Sequence, residues 1–245
     1  MNIGIITQAR TTSSRLPAKI LLKVQGKTLF EHHLSRLEAS ALGVYVATTV
    51  NEQDDVLTKI CRKKKILMYR GSEHDVLSRF YQCALQYNID IIIRATSDCP
   101  LTDAQVILNG LNLYLSKYQV GKKLYLSNTR ERTFPKGMDF EIFSFDMLKE
   151  AHENAIEKAE REHVTPYFYQ NHKGDIELIN YSNIRDTSHL RITLDFKKDY
   201  NFIKTLIEKH NAHNLQVASI EDIILNSKEL IKLNNLCRQT AQLIN

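Results

Sequence analysis

The spacing of short β-branched runs constrains this chain more than anything else in it. Such runs occupy residues 2–7, 43–49, 66–69 and 89–93, and stretches with helical periodicity lie over 28–39 and 75–87. The runs are apolar on both faces, as strands of a parallel sheet covered on both sides must be. The first helical stretch carries Leu29, Phe30, His33, Leu34 and Leu37 near one face; the second carries Val76, Leu77, Phe80, Ala84 and Tyr87. Strand and helix alternate in this way from residue 2 to about residue 117. The pattern predicts right-handed crossovers and a three-layer, doubly wound, mostly parallel α/β sheet.

After residue 120 the pattern loosens. Met138, Phe140 and Ile142 alternate with Asp139, Glu141 and Phe143, which predicts a strand over 138–143 with Asp139 and Glu141 sharing a face. A long helix over 147–162, strands over 176–181 and 190–194, and helices over 199–209 and 219–243 are expected to follow. The pattern leaves open whether these strands run antiparallel or cover an edge. With no Pro/Gly/Ser-rich linker and no repeat, the 245 residues are expected to form one domain with a core over about 1–210.

Composition narrows the function classes. Hydrophobic types make up 43%, charged types 25%, and the net charge is +5, a globular balance that argues against disorder or a fibrous chain. Runs such as Ile20-Leu21-Leu22 fall far short of the ~20 apolar residues a membrane span needs. The amino terminus lacks the features of a secretory signal, so a cytoplasmic location is expected. Cys61, Cys83, Cys99 and Cys237 are scattered, with no CxxC pair, and read as reduced thiols. The run Arg62-Lys63-Lys64-Lys65 closes a helical pattern without interleaved aromatics, so it reads as a solvated helix end and not as a nucleic-acid surface.

Ligands of open parallel sheets sit outside the carboxyl ends of the strands. Three such ends here carry polar residues that fit together. After the first strand, Arg10, Arg15 and Lys19 place three cations within ten residues, beside the hydroxyls of Ser13 and Ser14. That set suits a polyphosphate, because guanidinium forks grip phosphate oxygens and lysine supplies a point charge. After 89–93, Asp98 stands just beyond the strand next to Pro100, placed to hold a divalent cation against phosphate. A loop hydrogen bond is the alternative for Asp98, and Thr102 or Asp103 could cap the next helix. The third end is Asp195 at the close of 190–194; it could complete a metal site with Asp98, or open the following helix as a cap.

Competing motifs fail on spacing. Gly26-Lys27-Thr28 ends like a P-loop, but the glycine required five positions earlier is Leu21. No GxGxxG, GxSxG or HExxH occurs, and Cys99 lacks a histidine near it in sequence to act as its base. His210 and His213 read as a helix end.

The order of motifs is informative. Gln8-Ala9-Arg10, Ser14-Arg15-Leu16-Pro17-Ala18-Lys19, Leu22 and Gly26-Lys27 come first. Gly71 through Phe80, Arg94 through Pro100, Phe134 through Glu141, Arg161 through Tyr167 and Leu190 through Asp195 follow. This series, spread over residues 3 to about 205, resembles the sugar cytidylyltransferases, the group that includes the synthetases of CMP-activated sialic acid and KDO, and within it the SpsF-like branch of spore coat polysaccharide biosynthesis. The resemblance implies a nucleotide-diphospho-sugar transferase fold, CTP as donor, Mg²⁺ as cofactor and a homodimer. Carried over residue by residue, it implies that Ala9, Arg10, Ser14, Arg15, Lys19, Asp75 and Ser97 face CTP, and that Asp98 and Asp195 hold Mg²⁺. Arg10, Lys19, Asp98 and Asp195 would be the catalytic set, and Arg94, Asp139, Glu141 and His163 would face a sugar-acid or sugar-phosphate acceptor. Ser97 and Lys136 depart from the branch pattern, which often has Gly and an acidic residue there.

The implied reaction, attack of an acceptor oxygen on the α-phosphorus of CTP, needs positioning and charge neutralisation and no covalent nucleophile. Asp139, Glu141 and His163 could alternatively serve as structural hydrogen-bonding groups. A rival reading is a GT-A-like glycosyltransferase, with Asp139-Phe140-Glu141 as a loose metal motif acting on a preformed nucleotide sugar. The basic loop after the first strand suits an intact triphosphate better. A nucleic-acid-binding or scaffold role has only the +5 charge in its favour.

Overall fold

The structure, a computed structural model, describes residues 1–242. The strands are β1 (Ile3–Gln8), β2 (Lys23–Val24), β3 (Lys27–Thr28), β4 (Gly43–Thr49), β5 (Leu67–Gly71), β6 (Ile91–Thr96), β7 (Leu124–Ser127), β8 (Glu141–Ser144) and β9 (Glu177–Asn180). The helices are α1 (Leu29–Glu38), α2 (Asp55–Lys64), α3 (Val76–Gln86), α4 (Ala104–Lys117), α5 (Phe145–Asn154), α6 (Lys158–His163), α7 (Pro166–Gln170), α8 (Lys197–His210), α9 (Val217–Leu225) and α10 (Lys228–Gln242). Seven strands form one sheet in the order β5-β4-β1-β6-β8-β7-β9. Neighbours are parallel except that β8 runs antiparallel to both β6 and β7. The doubly wound, mostly parallel sheet expected from the periodicity is present, and one reversed strand accounts for the looser second half.

Period-two alternation covers both faces. Ile5, Ile91 and Ile93 enter one apolar cluster, under α4, α8 and α9, while Ile6 and Ile92 enter another, under α3 and α5. Local chemistry starts the helices where it should. Thr28 caps α1 through a reciprocal capping box with Glu31, and Ser144 caps α5. Gln25 and Gly26, both at positive φ, make the two-residue turn of the β2–β3 hairpin, so the glycine once comparable to a P-loop tail is a turn residue. Arg62, Lys63 and Lys64 form the last turn of α2 as expected, and His210 ends α8.

Four boundaries differ from the sequence reading. The strand expected over 138–143 is ordered as a ladder only from Glu141, because the buried Asn128 amide takes Met138 O (2.7 Å) and Phe140 N (3.0 Å) in place of a neighbouring backbone. The helix expected over 147–162 breaks after Asn154. Ala155 and Glu157 are extended there, and Glu160 accepts from Glu157 N to start α6. Residues 190–194 join no sheet; they are strapped to the 135–137 turn by Lys136 N to Leu190 O (2.9 Å) and Ile192 N to Lys136 O (2.7 Å). The last helix is two, α9 and α10, separated at Asn226 and Ser227, and Leu243 lies outside the described residues.

That strap decides where Asp195 goes. Gly137 has φ +112, and a Cβ there would stand 2.7 Å from the Ile192 carbonyl carbon. Gly137→Ala is therefore expected to lower unfolding free energy by about 2–4 kcal/mol through left-handed backbone strain and a backbone clash, measurable by urea denaturation; wild-type stability would show that the strap has slack.

Candidate functional site

β1 and β6 lie side by side, with β4 and β5 beyond β1 and the antiparallel strand β8 beyond β6. The chain passes from β1 to one side and returns on the other, so the carboxyl ends of β1 and β6 form a topological switch point. Gln8 pairs with Thr96 at this end, and Ser97 N donates to Gln8 O (3.3 Å). The loops that follow these strands open a cavity of about 450 Å³. Ala9, Arg10, Ser14, Arg15, Lys19, Ser97, Asp98 and His163 all line it, so eight of the residues singled out in the sequence meet there.

The basic loop is built, not loose. Asp54, fully buried, accepts from Thr11 N and Thr11 Oγ1, each at 2.7 Å, and also from Thr49. Glu73 accepts from Thr12 and Asn51 and stands 3.5 Å from Arg10. Ala18 N returns to Thr11 O (3.0 Å), and Ala18 itself takes the left-handed conformation that turns the chain into Lys19.

Lys19 joins the two distant aspartates. Its Nζ lies 3.2 Å from Asp98 Oδ2 and 3.0 Å from Asp195 Oδ1. The backbones are tied as well: Leu194 N (2.8 Å) and Thr193 Oγ1 (3.2 Å) both donate to Asp98 O. Asp195 stands behind the rim, reaching the cavity through Lys19 and through Arg15 (3.1 Å). Arg191 bonds its other oxygen (2.9 Å) and is itself held by buried Asp199. Asp199, not Asp195, accepts from the backbone amides at the start of α8, so the helix-cap alternative for Asp195 is not what the fold uses. Burial alone would raise the Asp195 carboxyl, but Lys19, then Arg191 and Arg15, outweigh burial and hold it at about 2. Burial likewise opposes the charge of Lys19, and the two aspartates overcome it, holding the ammonium above its ordinary value.

Other candidates stand elsewhere. Asp75 caps α3 by accepting from Ser78 N (2.9 Å) and pairs with Arg161. Arg94 is locked to Glu141, which also accepts from Tyr125 (3.0 Å) and Thr165 (2.7 Å). Asp139 is held by a two-pronged contact from Arg132. None of these four lines the cavity. Arg94 and Glu141, and Asp75 and Arg161, pair across elements distant in sequence, and Arg132 lies in the irregular segment before Asp139, so strand periodicity could not reveal these partners. Cys99 is a buried filler whose thiol is pushed well up by burial and by Asp98, the opposite of an activated nucleophile.

Three contributors were not legible as site residues. His33, fully buried, bonds Cys99 O through Nδ1 (2.9 Å) and Thr7 Oγ1 through Nε2 (2.9 Å). Burial lowers its pKa to about 4, so it is neutral, and because a carbonyl only accepts, Nδ1 carries the proton. It thus pins the loop of Asp98 to α1 and β1. Asp54 gave no signal at all. Arg79 did: it falls on the apolar face of α3 with Val76 and Phe80, where an arginine is out of place.

The profile of the cytidylyltransferase family matches residues 3–233. The chain belongs to the cytidylyltransferase family. SpsF, the spore coat polysaccharide biosynthesis protein of Bacillus subtilis (strain 168), is 30% identical over 217 residues, 85% of this chain and 87% of SpsF. A solved cytidylyltransferase from Leptospira borgpetersenii serovar Hardjo-bovis superposes at a TM-score of 0.89 with 35% identity, covering 94% of this chain and 97% of that one. The structure of CMP:2-keto-3-deoxy-manno-octonic acid synthetase complexed with CTP shares the fold at a TM-score of 0.62 and 16% identity, over 85% of this chain and 99% of that one. The motif series in the sequence therefore pointed to the right family and the right fold.

The depressed carboxyl of Asp195 makes a pH-dependent contribution to this family member's stability. Its folded value lies below the ordinary 3.8, so the contribution is complete above pH 3.8 and lost as pH falls toward about 2. The difference corresponds to about 2 kcal/mol. The stability gap between wild type and Asp195→Asn, read by urea unfolding from about pH 5 to about pH 2, should narrow by that amount; a gap independent of pH would mean Asp195 is not held ionised.

Proposed function

We propose that this chain transfers the cytidylyl group of CTP to a sugar acid, or to a related hydroxylated or phosphorylated acceptor, with release of pyrophosphate, in the synthesis of a surface polysaccharide or glycan. The observation that carries this reading is the meeting of Asp98 and Asp195 on Lys19, at the edge of a cavity whose other wall is a cation-rich loop. Family membership supports cytidylyl chemistry, and the name of the relative SpsF supports the polysaccharide setting.

The donor set fits Mg²⁺. Two carboxylates converge on Lys19, and no cluster of three or more His, Cys, Asp or Glu is gathered at one point among the described residues, so substrate and water oxygens would complete the shell. When bound, the ion would neutralise triphosphate charge and favour pyrophosphate departure. Asp98 and Asp195 would hold it. Arg10, Arg15 and Lys19 would grip phosphate oxygens and orient the α-phosphorus for in-line attack, with Ser14 and the loop amides completing the cradle. Ser97, buried and lining the cavity, narrows the floor beside Asp98. His163, exposed on the far rim, is the one proposed acceptor residue that faces the same space.

The reaction is tested by incubating the protein with each nucleoside triphosphate, Mg²⁺ and a panel of sugar acids and sugar phosphates, followed by ³¹P NMR. CTP-dependent pyrophosphate release is expected; consumption of preformed nucleotide sugars alone would instead establish a glycosyltransferase. Asp98→Asn should abolish turnover with the circular dichroism of the wild type, and undiminished turnover would remove Asp98 from the site. Arg15→Ala should weaken CTP binding by about 1.5–3 kcal/mol, the loss of one charge-assisted contact, as read by calorimetry.

A further inference from the structure

One polar residue of the C-terminal helix sits where an apolar one is expected. The buried stripe of α10 consists of Leu230, Asn234, Cys237 and Ala241, at helical spacing, and Asn234 is 1% exposed. An amide taken out of water in such a seam is costly unless its polar atoms are bonded. Both are bonded, and to the backbone of a single residue: Oδ1 accepts from Arg191 N (3.2 Å), and Nδ2 donates to Arg191 O (2.7 Å). A shift of α10 by one turn would put Leu230 or Cys237 there, and neither offers that pair, so the amide also fixes the register of the helix.

Arg191 lies in the middle of the strap. Leu190 O and Ile192 N on either side of it are taken by Lys136, while the N–H and C=O of Arg191 itself have no neighbouring strand to pair with. Asn234 supplies both partners, so the strap is held by a turn and by one side chain of α10. The Arg191 guanidinium then donates from Nε to Asp199 Oδ1 (2.9 Å), and from Nη2 to Asp199 Oδ2 (2.8 Å) and Asp195 Oδ2 (2.9 Å). The other oxygen of Asp195 meets Lys19 (3.0 Å) at the cavity. A continuous run of hydrogen bonds therefore joins the C-terminal helix to the site: Asn234 to Arg191, Arg191 to Asp195, Asp195 to Lys19.

We propose that Asn234 is a positioning residue for the Asp195 carboxylate, which makes the C-terminal helix part of the support of the reaction site. The inference rests on Asp98 and Asp195 holding a divalent ion beside CTP, as proposed above. Asn234 acts through Arg191: it fixes the backbone from which the guanidinium reaches one oxygen of Asp195, and so decides how the other oxygen is presented. Loss of the amide leaves two buried backbone groups unpaired. Arg191 is then free to shift, and the Asp195 carboxylate shifts with it.

The test uses Asn234→Ala, Mn²⁺ as a spectroscopic substitute for Mg²⁺, and a CTP analogue whose α–β bridge is a methylene group, so that no pyrophosphate can leave. With the variant shown to be folded by circular dichroism, its Mn²⁺ affinity in the presence of the analogue, read by electron paramagnetic resonance, should fall about 10- to 100-fold, as for groups that orient a metal ligand. Calorimetric affinity for the analogue without metal should stay that of the wild type. Unchanged Mn²⁺ affinity in the folded variant would leave Asn234 a role in the fold alone and overturn the proposal, as would an equal loss of metal-free analogue affinity. If the variant does not fold, hydrogen exchange of the wild type decides, because coupling between two places is reciprocal. Mn²⁺ added to the analogue complex should slow amide exchange in α10, and identical exchange would overturn the assignment. A wild type that binds the analogue but no Mn²⁺ would instead remove the metal site from the functional reading, and one that binds neither would sink that reading itself.

Discussion

Three segments that meet nowhere in the sequence are held together by one ammonium group. Lys19 follows β1, Asp98 follows β6, and Asp195 ends a strap that belongs to no sheet, yet Lys19 Nζ lies within 3.2 Å of both carboxylates. Without a cation between them, the two carboxylates would repel each other. With it, they are drawn together at the edge of the cavity. Arg191 and Asp199 extend the alternation of charge into the interior, so the outer pair rests on an inner, buried one. Breaking such a buried pair by removing one partner leaves an uncompensated charge, which is why the strap and the helix behind it cannot shift independently of the rim.

A second theme is the use of buried polar side chains to fix irregular backbone. Asn128 stands in for a missing strand neighbour, Asp54 anchors the start of the basic loop, and neutral His33 fastens the loop that carries Asp98. Each satisfies backbone groups that a regular ladder would otherwise pair. Loops can then carry function without being loose, because their amides and carbonyls are pinned to α1, α2 and β1. Arg94 and Glu141, joined by Tyr125 and Thr165, tie the side chains of β6, β7 and the reversed strand β8 together behind the site.

These supports suit a reaction whose demands are geometric and electrostatic. Behind the cavity, Cys99 and His33 are no activated pair: the thiol is pushed toward its neutral form, and the imidazole is committed to a carbonyl. What the cavity supplies is fixed charge of both signs, from Arg10, Arg15 and Lys19 and from Asp98.

The sequence by itself determined the parallel half of the sheet, because period-two and period-3.6 patterns over residues 2–117 are local properties that buried strands and amphipathic helices must show. It also determined the cationic loop, Asp98 and the family, since those motifs are short and ordered along the chain. Tertiary structure alone decided the rest. Asp139, Glu141, Arg94 and Asp75 do not line the cavity: Arg94 and Glu141 pair with each other and Asp75 with Arg161 across elements distant in sequence, and Asp139 pairs with Arg132 of the same connecting segment. The expected strand over 190–194 became a strap because its hydrogen-bonding partner is a turn held open by Gly137. Arg79 showed only as a misplaced charge on an apolar helix face until the fold revealed that every acid around it was already engaged. Pairing of charges across 79 to 180 residues leaves no periodic trace in a chain, and so it is the one level of this protein that only the assembled sheet could specify.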